Sequence, residues 1–221
     1  MRGSFITFEG GEGSGKSTHA RLLGERLKTL GLDVVITREP GGSPGAEIIR
    51  HILLSGIAKP LGAETEAILF AAARDDHLRT VIRPAIAAGK WVICDRFIDS
   101  TRVYQGTLGH VDPRLIRSLE RITVGGAIPD ITFIIDVPAN VGLARAKRRR
   151  EGGAADRFEA EDVAYHEQLR NAYLALAELE PLRCVVIDGR APRDVVAQRI
   201  WETVEQRLRP GLARVAETVA P

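Results

Sequence analysis

Five short apolar runs punctuate the chain: Phe5–Phe8, Val34–Thr37, Trp91–Cys94, Ile131–Asp136 and Cys184–Ile187. Their apolar residues are continuous rather than alternating, the pattern of strands covered on both faces of a parallel sheet. Between the runs, apolar positions recur at helical spacing, with Ala20, Leu23, Leu27 and Leu30 the clearest stripe. This predicts helices over roughly 17–30, 45–55, 65–88, 112–124, 139–150, 160–179 and 192–208. Strand and helix in alternation give an α/β fold: a five-stranded parallel sheet with helices on both faces, joined by right-handed crossovers. Such a sheet takes its ligands at the carboxyl ends of its strands. Polar residues gather there: Arg38-Glu39-Pro40 after the second run, Asp95-Arg96 after the third, Asp136 in the fourth and Asp188 after the fifth.

One strand-to-helix junction carries a complete motif. Gly10-Gly11-Glu12-Gly13-Ser14-Gly15-Lys16-Ser17-Thr18 fits G-x-x-x-x-G-K-[ST], between the first strand and the first helix. Backbone N–H groups of such a loop wrap a phosphate, and the helix N-terminus adds the positive end of its dipole. Lys16 reaches the β- and γ-phosphates and Ser17 offers its hydroxyl to Mg²⁺. The loop makes the chain a P-loop NTPase and implies ATP with Mg²⁺. Glu12 is unexpected, because a carboxylate repels phosphate. It makes sense if it accepts a hydrogen bond from a sugar hydroxyl or helps position Mg²⁺.

Composition narrows the class. A length of 221 residues suits one α/β domain, and 44% hydrophobic content supplies its core. A net charge of +2 gives no general polyanion-binding surface, so no nucleic-acid partner is expected. Cys94 and Cys184 fall in strands and read as small core residues. No apolar run reaches transmembrane length and the chain opens on a strand, so a soluble cytoplasmic protein with no membrane partner is expected. The domain is placed at 1–209. The tail 210–221 is either a frayed helix or disordered.

The second substrate must be read from residues elsewhere. Asp95 lies where a carboxylate holds Mg²⁺ or its water. Arg96 beside it presents a planar fork suited to an acceptor phosphate, the plain alternative being a surface salt bridge between neighbours. Phe70 and Arg74 share a helix face and suit a nucleobase, although spacing alone fits a core Phe with a solvated Arg at least as well. Thr101, Tyr104 and Gln105, if helical, form one polar patch near the same cleft. Arg145, Lys147, Arg148, Arg149 and Arg150 precede Gly152-Gly153 and Asp156-Arg157. This segment is either a solvated basic surface, a nucleic-acid patch, or a mobile lid over about 146–158. The lid fits best, because the phosphate loop has no arginine and transferred phosphate needs positive charge from elsewhere.

Taken together, these blocks resemble thymidylate kinases. The likeness runs through Phe5-Ile6-Thr7-Phe8-Glu9-Gly10, the phosphate loop and Thr37-Arg38-Glu39-Pro40-Gly41-Gly42. It continues through Leu69-Phe70-Ala71-Ala72-Ala73-Arg74, Asp95-Arg96-Phe97-Ile98-Asp99-Ser100 and Tyr104-Gln105-Gly106, then Pro129-Asp130 and Asp156-Arg157. The resemblance implies transfer of the ATP γ-phosphate to dTMP, giving dTDP and ADP. It implies that Phe70 stacks on thymine, that Arg74 bonds a base oxygen, and that Thr101 and Gln105 lie at the base edge. Arg38, Arg50 and Arg96, with Pro40 beside them, are implied near the acceptor phosphate. Glu12 is implied to face the sugar 3′-hydroxyl, and Tyr104 to crowd the 2′ position. Gly13 fills the loop position where one arrangement of the family has arginine, so the chain resembles the bacterial lid type, with Arg149 and Arg157 as the catalytic lid arginines beside Lys16, Arg96 and Glu12. The family motif is usually Asp-Arg-Tyr; here Phe97 lacks the hydroxyl. The resemblance also implies a homodimer. The alternative is a kinase for another nucleoside monophosphate. A GTP switch is disfavoured, since no Asn-Lys-x-Asp motif occurs.

Overall fold

The computed structural model describes residues 2–150 and 158–218, the side chains of 150 and 209–218 excepted. Five parallel strands, β1 (Phe5–Glu9), β2 (Val34–Arg38), β3 (Trp91–Asp95), β4 (Ile131–Asp136) and β5 (Cys184–Asp188), form one sheet in the order β2-β3-β1-β4-β5. All five expected strands are present. Four run one residue further than their apolar runs, to Glu9, Arg38, Asp95 and Asp188. Ladder pairing uses backbone groups, so a charged residue closes a strand as readily as an apolar one. The register sets Asp95 level with Phe8 and Arg38, and Asp136 level with Asp188, which brings the polar ends to one edge.

The expectation of strands covered on both faces holds for β1, β3 and β4. The two edge strands are only partly covered, with Ile36 and Val186 exposed. Alternation along the strands sorts the core. Ile6, Phe8, Ile93 and Phe133 pack with Leu23, Leu27, Ile200 and Trp201 on one face. Phe5, Val92 and Cys94 pack with Leu78, Ile82 and Phe97 on the other. That second face also carries buried polar residues at Thr7, Glu9 and Thr132. Cys94 and Cys184 are buried free thiols.

Helix α1 (Lys16–Thr29) leaves the phosphate loop, and α2 (Pro44–Leu54) follows β2. The helix expected over 65–88 is three pieces: α3 (Gly62–His77), a π-helical turn (Leu78–Ile82) and α4 (Arg83–Ala87). Pro84 explains the break. It has no N–H to donate, its ring crowds the carbonyl four residues earlier, and a wider turn relieves both. After β3 the chain makes α5 (Ile98–Thr101), which opens into a second π-helical turn (Arg102–Leu108). Both pieces are too short and polar to show helical periodicity. The remaining helices are α6 (Pro113–Thr123), α7 (Ala139–Arg150), α8 (Val163–Leu179) and α9 (Arg193–Thr218). Helix α8 starts later than expected because Asp162 caps it, accepting from the Tyr165 N–H at 2.7 Å. Among the described residues, no helix is long and apolar enough to cross a membrane.

Candidate active site

The phosphate loop joins β1 to α1, and Gly15, at φ 105°, caps the helix in a conformation that L side chains rarely adopt. Gly13 is required for a second reason. Its φ is 65°, and a Cβ there would collide with the Gly142 carbonyl in α7. No side chain fits at this position without a shift of α7. Lys16 is buried and donates from Nζ to the Gly11 carbonyl at 2.7 Å. Burial, and then the neighbouring Arg96 cation, push its pKa below the usual lysine range. The Ser14 hydroxyl is buried without a hydrogen-bond partner.

Glu12 is neutralised from across the cleft. Arg96 donates from Nη2 to Glu12 Oε1, and Tyr104 donates to the same oxygen at 3.3 Å. Burial pushes the Glu12 pKa up, but Arg96 and Lys16 outweigh it and hold it at about 2. Arg96 sits at φ 68°, a left-handed conformation that is sparsely populated for an arginine. The turn aims its guanidinium back over the loop, where Nη1 also reaches the Gly10 carbonyl at 3.3 Å. Arg96 therefore pairs with Glu12 rather than with its neighbour Asp95. Asp95 instead accepts a hydrogen bond from the Ser17 hydroxyl.

That pair bears on Mg²⁺. A hydroxyl and a carboxylate in contact, both hard oxygen donors beside the phosphate loop, are the ligand chemistry Mg²⁺ takes when phosphate oxygens complete its shell. Ser17 and Asp95 thus fit the ion.

A cavity of about 430 Å³ opens onto the loop. It is lined by Glu12, Lys16, Ser17, Arg38, Pro40, Arg50, Phe70, Arg74, Asp95, Arg96, Thr101, Tyr104, Gln105 and Arg149, among others. The space suits a nucleotide-sized ligand. Thr101, Tyr104 and Gln105 share the patch expected of them, although the turn that carries the last two is π-helical. Phe70 is half-buried at the wall. Arg74 is 3% exposed, so the solvated arginine that spacing allowed is not found. Its Nε donates to Glu39 Oε2 at 2.8 Å, and its Nη2 to Thr101 Oγ1 at 3.0 Å. Phe97 keeps its ring buried, edge-on to Phe5 at 5.0 Å, with the Arg74 guanidinium 5.3 Å from its centre.

The loop after β2 supplies the opposite wall. Arg50 donates to the Pro40 carbonyl at 2.5 Å and Arg38 to Glu47 at 2.9 Å. Of the basic segment, Arg145 is tied to the Gly189 carbonyl at 3.0 Å, away from the cavity. Arg149 lines the cavity and donates to Glu159 at 3.3 Å. Arg157, and with it most of the expected lid over 146–158, lies outside the described residues.

Several further residues, to which the sequence assigns no role, join the site. Phe158 packs against Tyr104 at 5.3 Å and Phe70 at 6.3 Å, making a third aromatic wall. Glu39 accepts from both Arg74 and His77, the latter at 3.1 Å, so it fixes the base-wall arginine. Glu9 accepts from the Phe97 N–H at 2.7 Å and from the hydroxyls of Ser100 and Tyr173 at 2.7 and 2.9 Å. Asp136 and Asp188, at the strand ends, are engaged by Arg170 and Arg190 and stand outside this cavity.

Comparison with known proteins gives the chain's family. The family model described as thymidylate kinase matches residues 8–200. The chain is 62% identical to a thymidylate kinase of Nitrobacter winogradskyi over 207 residues, covering 94% of this chain and 90% of that one. It is 56% identical to a thymidylate kinase of Bradyrhizobium diazoefficiens over 214 residues, 97% and 94% of the two chains. The crystal structure of a thymidylate kinase from Ehrlichia chaffeensis superposes with a TM-score of 0.73 at 34% identity, over 92% of this chain and 99% of that one.

Proposed function

The chain belongs to the thymidylate kinase family and is a phosphotransferase, and we propose how the cavity beside its phosphate loop makes dTDP and ADP from dTMP and ATP. The observation that carries this is the convergence of Lys16, Arg96, Glu12, Tyr104, Phe70 and Arg74 on one space beside the phosphate loop. ATP lies along 10–18 with its β- and γ-phosphates at Lys16 and the loop N–H groups. The thymine ring lies against Phe70, with Arg74, Thr101 and Gln105 at its polar edge. Tyr104 crowds the sugar 2′ position and Glu12 accepts from the 3′-hydroxyl. Arg96, with Arg38 and Arg50 nearby, holds the acceptor phosphate.

Transfer is in line. A dTMP phosphate oxygen is already anionic at neutral pH, so no strong base is needed, and catalysis is positioning with charge neutralisation. Ser17 and Asp95 would hold Mg²⁺, which would supply positive charge to the transferring phosphate. Arg149, and Arg157 outside the described residues, add positive charge and exclude water within a lid over about 146–158. The catalytic domain is taken as 1–209, and a cytoplasmic enzyme is inferred. A homodimer is proposed on the same footing, supported by Ile48, Ile57, Leu61 and Ile122, large apolar residues that stay exposed on α2, α6 and the turn between α2 and α3.

Incubated with ATP, Mg²⁺ and dTMP, the protein is expected to release dTDP and ADP in equal amounts, read by chromatography. ADP without dTDP would reduce the activity to ATP hydrolysis and contradict the acceptor assignment.

A further inference from the structure

Arg96 is held on two sides by different chemistry. Its Nη2 faces the charged oxygen of Glu12, the side that an incoming phosphate would compete for. Its Nη1 faces neutral oxygens only: the Gly10 carbonyl, Ser100 Oγ and Tyr173 Oη, each at 3.3 Å. A hydroxyl accepts from a cation only if its own proton points elsewhere. Both hydroxyls have such a place. Ser100 Oγ donates to Glu9 Oε2 at 2.7 Å, and Tyr173 Oη donates to the same oxygen at 2.9 Å. The other carboxylate oxygen, Oε1, accepts from the Phe97 N–H at 2.7 Å and the Ser100 N–H at 3.2 Å, which pins the turn where Arg96 takes its left-handed conformation.

We propose that Glu9, Ser100 and Tyr173 form a positioning relay: the Glu9 carboxylate turns both hydroxyl protons away from Arg96, so that their lone pairs anchor Nη1 while Nη2 passes from Glu12 to the acceptor phosphate. The relay rests on the reading that Arg96 holds that phosphate. None of the three residues is assigned to substrate, so all act through Arg96. Glu9 is fully buried at the end of β1, and Tyr173 comes from α8, so the anchor ties the sheet edge to a distant helix.

The ionisation of Glu9 is consistent with this role. Burial, and then Asp99, raise its pKa to about 7 against the opposing pull of Arg96. The other titratable groups near it are Lys16, Tyr104, Tyr173, Cys94 and Cys184. A raised carboxyl pKa means that ionisation works against folding. The group's contribution to stability is full below the ordinary value of 4.5 and is lost as pH rises through about 7. The relay needs the ionised form, so activity and stability respond to this group in opposite directions.

The test is steady-state kinetics on Tyr173→Phe and Ser100→Ala, each alone and combined with Arg96→Ala, with Glu9→Gln as a third probe. Each single hydroxyl deletion is expected to lower kcat/KM for dTMP roughly tenfold, as for a lost hydrogen bond to a charged group, with KM for ATP within about twofold of wild type. In the Arg96→Ala background the same deletions should change kcat/KM less than about twofold. Glu9→Gln should lose activity similarly, yet melt at pH 8 no lower than wild type. A full tenfold loss persisting without Arg96 would overturn the relay, as would Glu9→Gln melting lower at pH 8 with activity intact. Near-normal kinetics in Arg96→Ala alone would instead overturn the phosphate-clamp reading beneath it.

Discussion

Lys16→Ala is expected to lower kcat about a thousandfold while the protein stays folded. Lys16 is the cation inside the phosphate loop, buried and held on the Gly11 carbonyl at 2.7 Å. Burial and Arg96 both depress its pKa, so its charge works against folding in the empty site. That imbalance is relieved when phosphate arrives, and it increases the attraction for developing negative charge. Removing the ammonium therefore takes away stabilisation of the transferring phosphoryl group without removing a charge that the fold depends on. Circular dichroism and thermal melting should match wild type closely, and single-turnover transfer should show the loss. A folded variant within about tenfold of wild-type kcat would contradict the role given to the loop.

Arg96→Ala is expected to lower kcat/KM for dTMP by two to three orders of magnitude (roughly 3–4 kcal/mol in the transition state), and Arg96→Lys should recover little of it. Lysine is a point charge on a flexible stem. It cannot hold Glu12 and a phosphate on one side of a planar fork while three neutral oxygens anchor the other. The same substitution exposes the loop to its own carboxylate. Glu12 sits at about pH 2 chiefly because Arg96 outweighs the effect of burial, so without Arg96 its negative charge stands uncompensated where phosphates bind. The stability signature has a definite sign. A depressed carboxyl pKa contributes stability that is present above the ordinary 4.5 and lost as pH falls through about 2. Melting curves of wild type and Arg96→Ala should therefore differ at pH 7 and converge near pH 2. A constant gap across that range would separate the Glu12 pairing from the stability of the site.

What the chain discloses by itself depends on how local each feature is. The phosphate loop is contiguous, and its residues sit where strand, glycine turn and helix must place them. Arg38, Pro40, Arg50, Phe70, Arg74, Thr101, Tyr104 and Gln105 come from four separate segments, yet all line one cavity because parallel strands end on one edge. The pairing of Glu12 with Arg96 was not legible, since 84 residues separate them and a carboxylate in an anion site has several explanations. Tyr173 and Glu9 lie 164 residues apart and meet only once α8 has packed on the sheet. A faint sign of that network does exist. In β1, Phe5, Thr7 and Glu9 alternate onto one face, and Thr132 in β4 continues it. Polar residues on a face that should be wholly apolar mark a buried network, but a search for unbroken apolar runs passes over them. The π-helical turns follow a similar logic. Pro84 signals an interruption, whereas the change in pitch that accommodates it depends on the packing of α3 and α4.

The mechanism requires that this cavity select dTMP as the phosphate acceptor. The measurement closest to it is ADP release from ATP and Mg²⁺ by the purified protein with dTMP, dUMP, UMP, dCMP, AMP and GMP in turn. The highest kcat/KM is expected for dTMP. UMP should fall behind through the sugar position at Tyr104, and dCMP through the amino group it presents to Arg74, each by about a hundredfold or more. Preference for a purine, or ADP release that ignores the acceptor, would leave the phosphate loop and fold standing and contradict the roles of Phe70, Arg74 and Tyr104.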